Sequence, residues 1–129
     1  MTAVSVLLVD DNRLFLRLIT KFLQEQAAAE VRVVGVAHTG HEALRQGQAL
    51  RPQVILLDLA MPGFSGLEVI PRLRKSLPSL IIIVLTRQKA EAYRPAVLKA
   101  GADAFISKAT LTTDLLPALR RLAQTTPEA

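Results

Sequence analysis

Short apolar runs alternate with amphipathic stretches along the whole chain. Val4–Val9 is free of charge and ends at Asp10. Leu14, Phe15, Leu18, Ile19, Phe22 and Leu23 then recur at helical spacing, with Arg13, Arg17, Lys21 and Gln24 between them. That period predicts an amphipathic helix buried along the six apolar positions. Val31–Ala37 reads as a second strand, and Arg32 gives it an exposed, edge-like character. Thr39 caps a helix through about Leu50, with Glu42 completing a capping box. Val54–Leu57 is a third strand ending at Asp58, and Leu67–Ser76 a helix that Pro71 should kink or shorten. Leu80–Leu85 is a fourth strand ending at Thr86. The helix after it runs to Ala100 and stops at Gly101. Pro95 falls inside this helix, where an interior proline costs roughly 3 kcal/mol and would loosen it. Ala104–Ser107 is a fifth strand ending at Lys108. Thr112 or Thr113 caps a last helix with Leu115, Leu116, Leu119 and Leu122 on one face.

Strands that are continuously apolar, rather than alternating, are buried on both faces. Their alternation with helices implies a parallel sheet covered on both sides, an α/β architecture. Right-handed crossovers leave few topologies. The flavodoxin-like (βα)5 sandwich, with strand order 2-1-3-4-5, puts the more polar second strand at an edge and is the expected fold. Residues 1–124 form one domain, and 125–129 have the composition of a tail or the start of a linker.

Composition narrows the function. The chain has 129 residues, half of them hydrophobic, which supplies a core and excludes a disordered chain. It has no cysteine, so disulfides, thiolate metal sites and a cysteine nucleophile are excluded. No signal peptide opens the chain and no apolar run approaches the roughly 20 residues of a membrane span, so a cytoplasmic protein without membrane contact is expected. The net charge is +5, but Arg72, Arg74, Lys75, Arg120 and Arg121 read as solvated helix faces. Aromatics are limited to Phe15, Phe22, Phe64, Tyr93 and Phe105, so direct nucleic-acid binding is not expected. His38 and His41 read as ordinary loop histidines.

The aspartates carry more information. Of five in the chain, Asp10, Asp11 and Asp58 directly follow apolar runs. In a sheet of this order, ligands bind beyond the carboxyl ends of the strands at the switch point between strands 1 and 3. Neighbouring strands lie about 4.8 Å apart, so the three carboxylates converge, with Thr86 and Lys108 on the same rim. Their repulsion must be balanced. Lys108 supplies one charge and a hard divalent cation, Mg²⁺ or Mn²⁺, the rest, with the backbone carbonyl of Ala60 as a further ligand. Such a site suits in-line attack by an aspartate on a phosphoryl group, giving an acyl phosphate.

Leu8-Val9-Asp10-Asp11-Asn12, Leu57-Asp58-Leu59-Ala60-Met61-Pro62-Gly63, Thr86 and Phe105-Ile106-Ser107-Lys108, in this order and spacing, resemble the receiver domain of two-component response regulators. The Met61–Glu68 stretch and the Lys108-Ala109 ending resemble receivers that precede a C-terminal helix-turn-helix output domain. The resemblance implies that Asp58 is the phosphoacceptor, served by a histidine kinase or a phosphotransfer domain. Asp11 would bind the metal directly and Asp10 largely through water. Lys108 would pair with the carboxylate and then with the phosphoryl group. Thr86 would swing to a phosphoryl oxygen and Phe105 would turn inward behind it, remodelling the face of the fourth helix, fifth strand and fifth helix. Homodimerisation and a DNA-binding output domain are further implied partners.

Some residues depart from the family's usual text. Ala109 stands where proline in a cis bond is common, and a non-proline cis bond costs about 2.5–4 kcal/mol, so a trans bond is expected. Phe105 lacks a tyrosine hydroxyl, Arg87 stands where a small residue is usual, and Ala60 and Gln88 flank the path of a hydrolytic water. Three other functions fit parts of this pattern. A haloacid-dehalogenase-like phosphotransferase would need an acid at the position of Ala60. A flavin-binding module would need a glycine-rich loop where Asp10-Asp11-Asn12-Arg13 stands. A phosphorylation-independent interaction module would not need a complete acid pocket.

Overall fold

In a computed structural model of the chain, residues 3–59, 66–87 and 92–125 are described, the side chains of 66, 124 and 125 excepted. Five strands form one parallel sheet of order β2-β1-β3-β4-β5, as the apolar runs predict. They are β1 (Val4–Val9), β2 (Val31–Ala37), β3 (Val54–Asp58), β4 (Ile81–Thr86) and β5 (Ala104–Ser107). The helices are α1 (Arg13–Ala27), α2 (Gly40–Leu50), α3 (Gly66–Ser76), α4 (Arg94–Ala100) and α5 (Leu111–Thr125). Every residue of β3 and β4 is buried, which is why these runs carry no polar alternation. Strand β2 lies at an edge with Arg32 exposed.

Successive strand residues feed two separate cores. Leu7, Ile55, Leu57, Ile82, Val84 and Phe105 join Val69, Ile70, Leu73 and Val97 of α3 and α4. Val6, Leu8, Leu56, Ile83 and Ile106 join Leu16, Ile19, Leu23, Leu115 and Leu119 of α1 and α5. The pairing of β1 with β2 slips by one residue between Val6 and Leu7, so Leu7 faces Gly35. A Cβ at Gly35 would lie 2.7 Å from Leu50 Cδ1 and 2.8 Å from Gln46 Oε1. Glycine therefore lets α2 lie close against this edge strand.

Several local expectations need correction. In α1 the buried stripe is Leu16, Ile19, Leu23 and Ala27, and Leu14 and Leu18 are exposed by 63% and 58%. Six apolar residues exceed a single core-facing stripe: Ile19 and Leu23 are buried, Phe15 and Phe22 pack against the same core, and the two leucines turn outward. Helix α3 continues through Pro71 to Ser76 and is not shortened. Pro95 lies in the first turn of α4, where its missing N–H has no partner to lose, so the interior penalty does not apply. Neither Thr112 nor Thr113 starts α5. Ser107 accepts from the Ala109 N–H, a 3₁₀ turn spans Lys108–Thr110, and α5 follows directly. His41 lies in the first turn of α2, not in a loop. The Glu42 side chain accepts the His38 N–H at 3.1 Å, one residue earlier than the reciprocal bond of a capping box, while the Thr39 hydroxyl accepts the Glu42 N–H.

Candidate functional site

The carboxyl ends of β1, β3, β4 and β5 form one rim. Asp10 follows β1, Asp58 ends β3 and pairs in register with Leu85, and Thr86 ends β4 opposite Ser107. Lys108 is the next residue. Asp10, Asp58 and Thr86 are the buried polar residues among those described, whereas Asp11 is exposed. Ligand oxygens of Asp10, Asp11 and Asp58 all lie within 4.8 Å of one another.

Lys108 compensates this cluster. Its Nζ donates to Asp10 Oδ2 at 2.5 Å and stands 3.6 Å from Asp58 Oδ1. The ammonium thus sits closer to Asp10 than to Asp58, the carboxylate to which the resemblance assigns it. Asp10 is the more deeply buried of the two, and a buried carboxylate demands a partner most strongly. The other Asp10 oxygen accepts the Asn12 N–H at 2.9 Å, and Asn12 Oδ1 in turn caps α1 by accepting the Phe15 N–H at 3.0 Å.

Three carboxylates against one ammonium leave an excess of two negative charges. Hard oxygen donors this close fit Mg²⁺ or Mn²⁺, so the donor set present suits a divalent cation. Ala60, whose carbonyl is the expected further ligand, and Gln88 lie outside the described residues. The Lys108–Ala109 bond is trans, since the described residues contain no cis peptide. Phe105 is buried against the α3–α4 core, with the Arg94 guanidinium 5.3 Å from its ring centroid. Arg87 is exposed next to Thr86.

Three features lie beyond the local sequence pattern. The Lys108 ammonium stands 4.1 Å from the Phe15 ring centroid, although Phe15 reads as one more apolar position of α1. Asn12 as the cap of α1 was legible from its place before the helix, and its link to Asp10 was not. Far from the rim, Arg74 donates to the carbonyls of Gly101, Pro78 and Leu80 and to Asp103 Oδ2, which also accepts the Ile82 N–H. Nothing in the local text marks that node, because its members come from α3, β4 and the two loops that precede β4 and β5.

The fold and site define a class: a doubly wound parallel sheet whose carboxyl rim carries an acid cluster and a lysine, a donor set that suits a hard divalent cation. Comparison with known proteins makes the class specific. The chain belongs to the response regulator receiver domain family, which it matches over residues 6–120. It is 33% identical to the response regulator protein VraR of Staphylococcus aureus (strain Mu3 / ATCC 700698) over 123 residues, covering 94% of this chain and 57% of that regulator. It therefore spans little more than half the length of such relatives. The isolated REC domain of RcsB from Salmonella enterica serovar Typhimurium, solved in the presence of phosphomimetic BeF3⁻, superposes with a TM-score of 0.84 at 30% identity, covering 98% of this chain and 92% of that one. An RcsB structure from Salmonella typhimurium, described for its conformational dynamism for DNA interaction, has a TM-score of 0.86 at 30% identity, covering 100% of this chain and 64% of that one. A receiver domain is a signalling module rather than a turnover enzyme. Among the described residues no helix is long and apolar enough to cross a membrane.

Proposed function

We propose that this chain is the phosphoacceptor switch of a two-component phosphorelay, with Asp58 as the acceptor. The observation that carries the reading is the meeting of Asp10, Asp11 and Asp58 with Lys108 on one rim. An Asp58 carboxylate oxygen attacks the phosphorus of a phosphohistidine on a histidine kinase or phosphotransfer domain. The oxygen–phosphorus bond forms as the phosphorus–nitrogen bond breaks, and an aspartyl phosphate results. Asp10, Asp11, Asp58 and the Ala60 carbonyl are the residues that would hold Mg²⁺ or Mn²⁺. The bound ion would supply neutralisation of the phosphoryl oxygens. Lys108 supplies a further positive charge to those oxygens, and the Thr86 hydroxyl donates to one of them.

Thr86 and Phe105 then link the site to the α4–β5–α5 face. Phe105 has no hydroxyl, so its part is one of packing, against Val97 and its neighbours. Hydrolysis of the aspartyl phosphate by the domain itself resets the switch. Residues 1–124 are taken as the receiver unit, and 125–129 as a tail or the start of a linker. The similarity to longer response regulators, one of them described for DNA interaction, supports a C-terminal DNA-binding output domain and a transcriptional output. A cytoplasmic location and a homodimer belong to the same proposal.

The test is incubation with acetyl phosphate with and without Mg²⁺, followed by mass spectrometry of the intact chain. One phosphoryl adduct that requires Mg²⁺ and disappears in Asp58→Asn is expected. An adduct of equal yield in that variant would overturn the assignment.

A further inference from the structure

The Lys108 ammonium is held from three sides. Asp10 Oδ2 and Asp58 Oδ1 take two of them, and the Phe15 ring closes the third with its centroid 4.1 Å from Nζ. The lysine side chain is only 9% exposed, so the ring stands where an ammonium would otherwise keep water. An aromatic face attracts a cation through its quadrupole, and does so most strongly where water is excluded.

The ring is itself held by the site. Asp10 accepts the Lys108 ammonium with one oxygen and the Asn12 N–H with the other, and Asn12 accepts the Phe15 N–H. Asp10, Asn12, Phe15 and Lys108 therefore form a closed circuit of contacts. The backbone that carries Phe15 is fixed by the same carboxylate that binds the lysine.

We infer that Phe15 is a positioning residue for Lys108. Its ring holds the ammonium on the rim while taking up none of its N–H donors. A carbonyl or carboxylate in that position would bind the ammonium directionally. An aromatic face lets it move between Asp10 and the Asp58 side without leaving the contact, so its donors stay available to an incoming phosphoryl oxygen. The kinetic consequence rests on Asp58 being the phosphoacceptor; the contact between Phe15 and Lys108 does not.

The experiment separates the two. In the metal-free chain, NMR of the Lys108 side chain should show its terminal methylene and ammonium protons displaced upfield by the ring, with cross-relaxation to the Phe15 ring protons. Phe15→Leu, which keeps apolar volume and removes the quadrupole, should return those protons to ordinary lysine positions. With acetyl phosphate and Mg²⁺, the same variant should lower the maximal phosphorylation rate about tenfold, corresponding to about 1.4 kcal/mol. Its half-saturating donor concentration should stay within about twofold, and Phe15→Tyr should recover most of the rate. Ordinary lysine shifts in the unsubstituted chain would overturn the proposal, and that measurement needs no variant to fold. Equal losses in the leucine and tyrosine variants would also overturn it, because packing alone would then account for Phe15. If the unsubstituted chain takes no phosphoryl group, the reading of Asp58 falls, and the Lys108 resonances alone decide the role of Phe15.

Discussion

Lys108 has two carboxylates within reach and lies nearer the one that is not the proposed acceptor. A buried pair of this kind adds little net stability, yet removing one partner leaves a charge without compensation, typically at about 3–5 kcal/mol. Lys108→Met should therefore lower the urea unfolding free energy by about 3 kcal/mol in the absence of divalent ions. Mg²⁺ should then restore more stability to this variant than it adds to the unsubstituted chain, since binding to the native state stabilises by mass action. An unfolding curve unaffected by the substitution would show that the carboxylates do not depend on Lys108. Glu30 and Arg120 make the opposite case. They form a bidentate pair at 2.8 Å that is about half exposed. The hydrogen bond from Arg120 holds the Glu30 carboxyl below its ordinary value of 4.5. With the folded value depressed, whatever the pair contributes is present above pH 4.5 and is lost as the pH falls through the lower folded value. Arg120→Met should thus differ slightly from the unsubstituted chain near neutrality and low salt, and the two should converge in acid or in about 1 M salt. Thermal unfolding followed by circular dichroism across that range checks it.

At the scale of elements, the strands were legible because each is a run of apolar residues closed by a polar one. β4 starts at Ile81 rather than Leu80, β3 and β4 each run one residue further, through Asp58 and Thr86, and β1, β2 and β5 keep their expected bounds. Helix starts were less legible. A cap at Thr112 or Thr113 satisfies the local rule, but Ser107 and the 3₁₀ turn begin the chain's turn earlier, and Leu111 enters the core. The buried face of α1 was hidden for a different reason: the period of Leu14, Phe15, Leu18 and Ile19 fits a helix rotated away from the observed one, and only the sheet decides between them. Gly101, by contrast, ends α4 as its place after the apolar period implies. Its φ is 125°, and its N–H donates to the Leu98 carbonyl while Ala102 donates to that of Val97. Gly101→Ala should destabilise the protein by about 1–2 kcal/mol through that backbone conformation, since the added Cβ meets Arg74 and Ile70 atoms no closer than 3.6 Å. A change below the error of a urea titration would remove the conformational argument.

At the scale of the whole molecule, the order of the sheet does the assembling. Placing β1 between β2 and β3 makes the ends of two strands that carry Asp10, Asp11 and Asp58 adjacent. Placing β4 and β5 next brings in Thr86 and Lys108. The acid cluster was therefore readable from sequence once a parallel sheet was inferred, because strand ends in that architecture share a rim. The circuit through Asn12 and Phe15 was not readable, since it depends on the rotation of α1 and on the reach of one lysine side chain. Borohydride reduction of the phosphorylated chain tests the central claim most directly, because it converts an aspartyl phosphate to homoserine at the residue that carried it. Peptide mass spectrometry should find homoserine at position 58 after treatment with acetyl phosphate and Mg²⁺, and aspartate there when the donor is omitted. Homoserine at Asp10, Asp11 or another position, with Asp58 intact, would contradict the account.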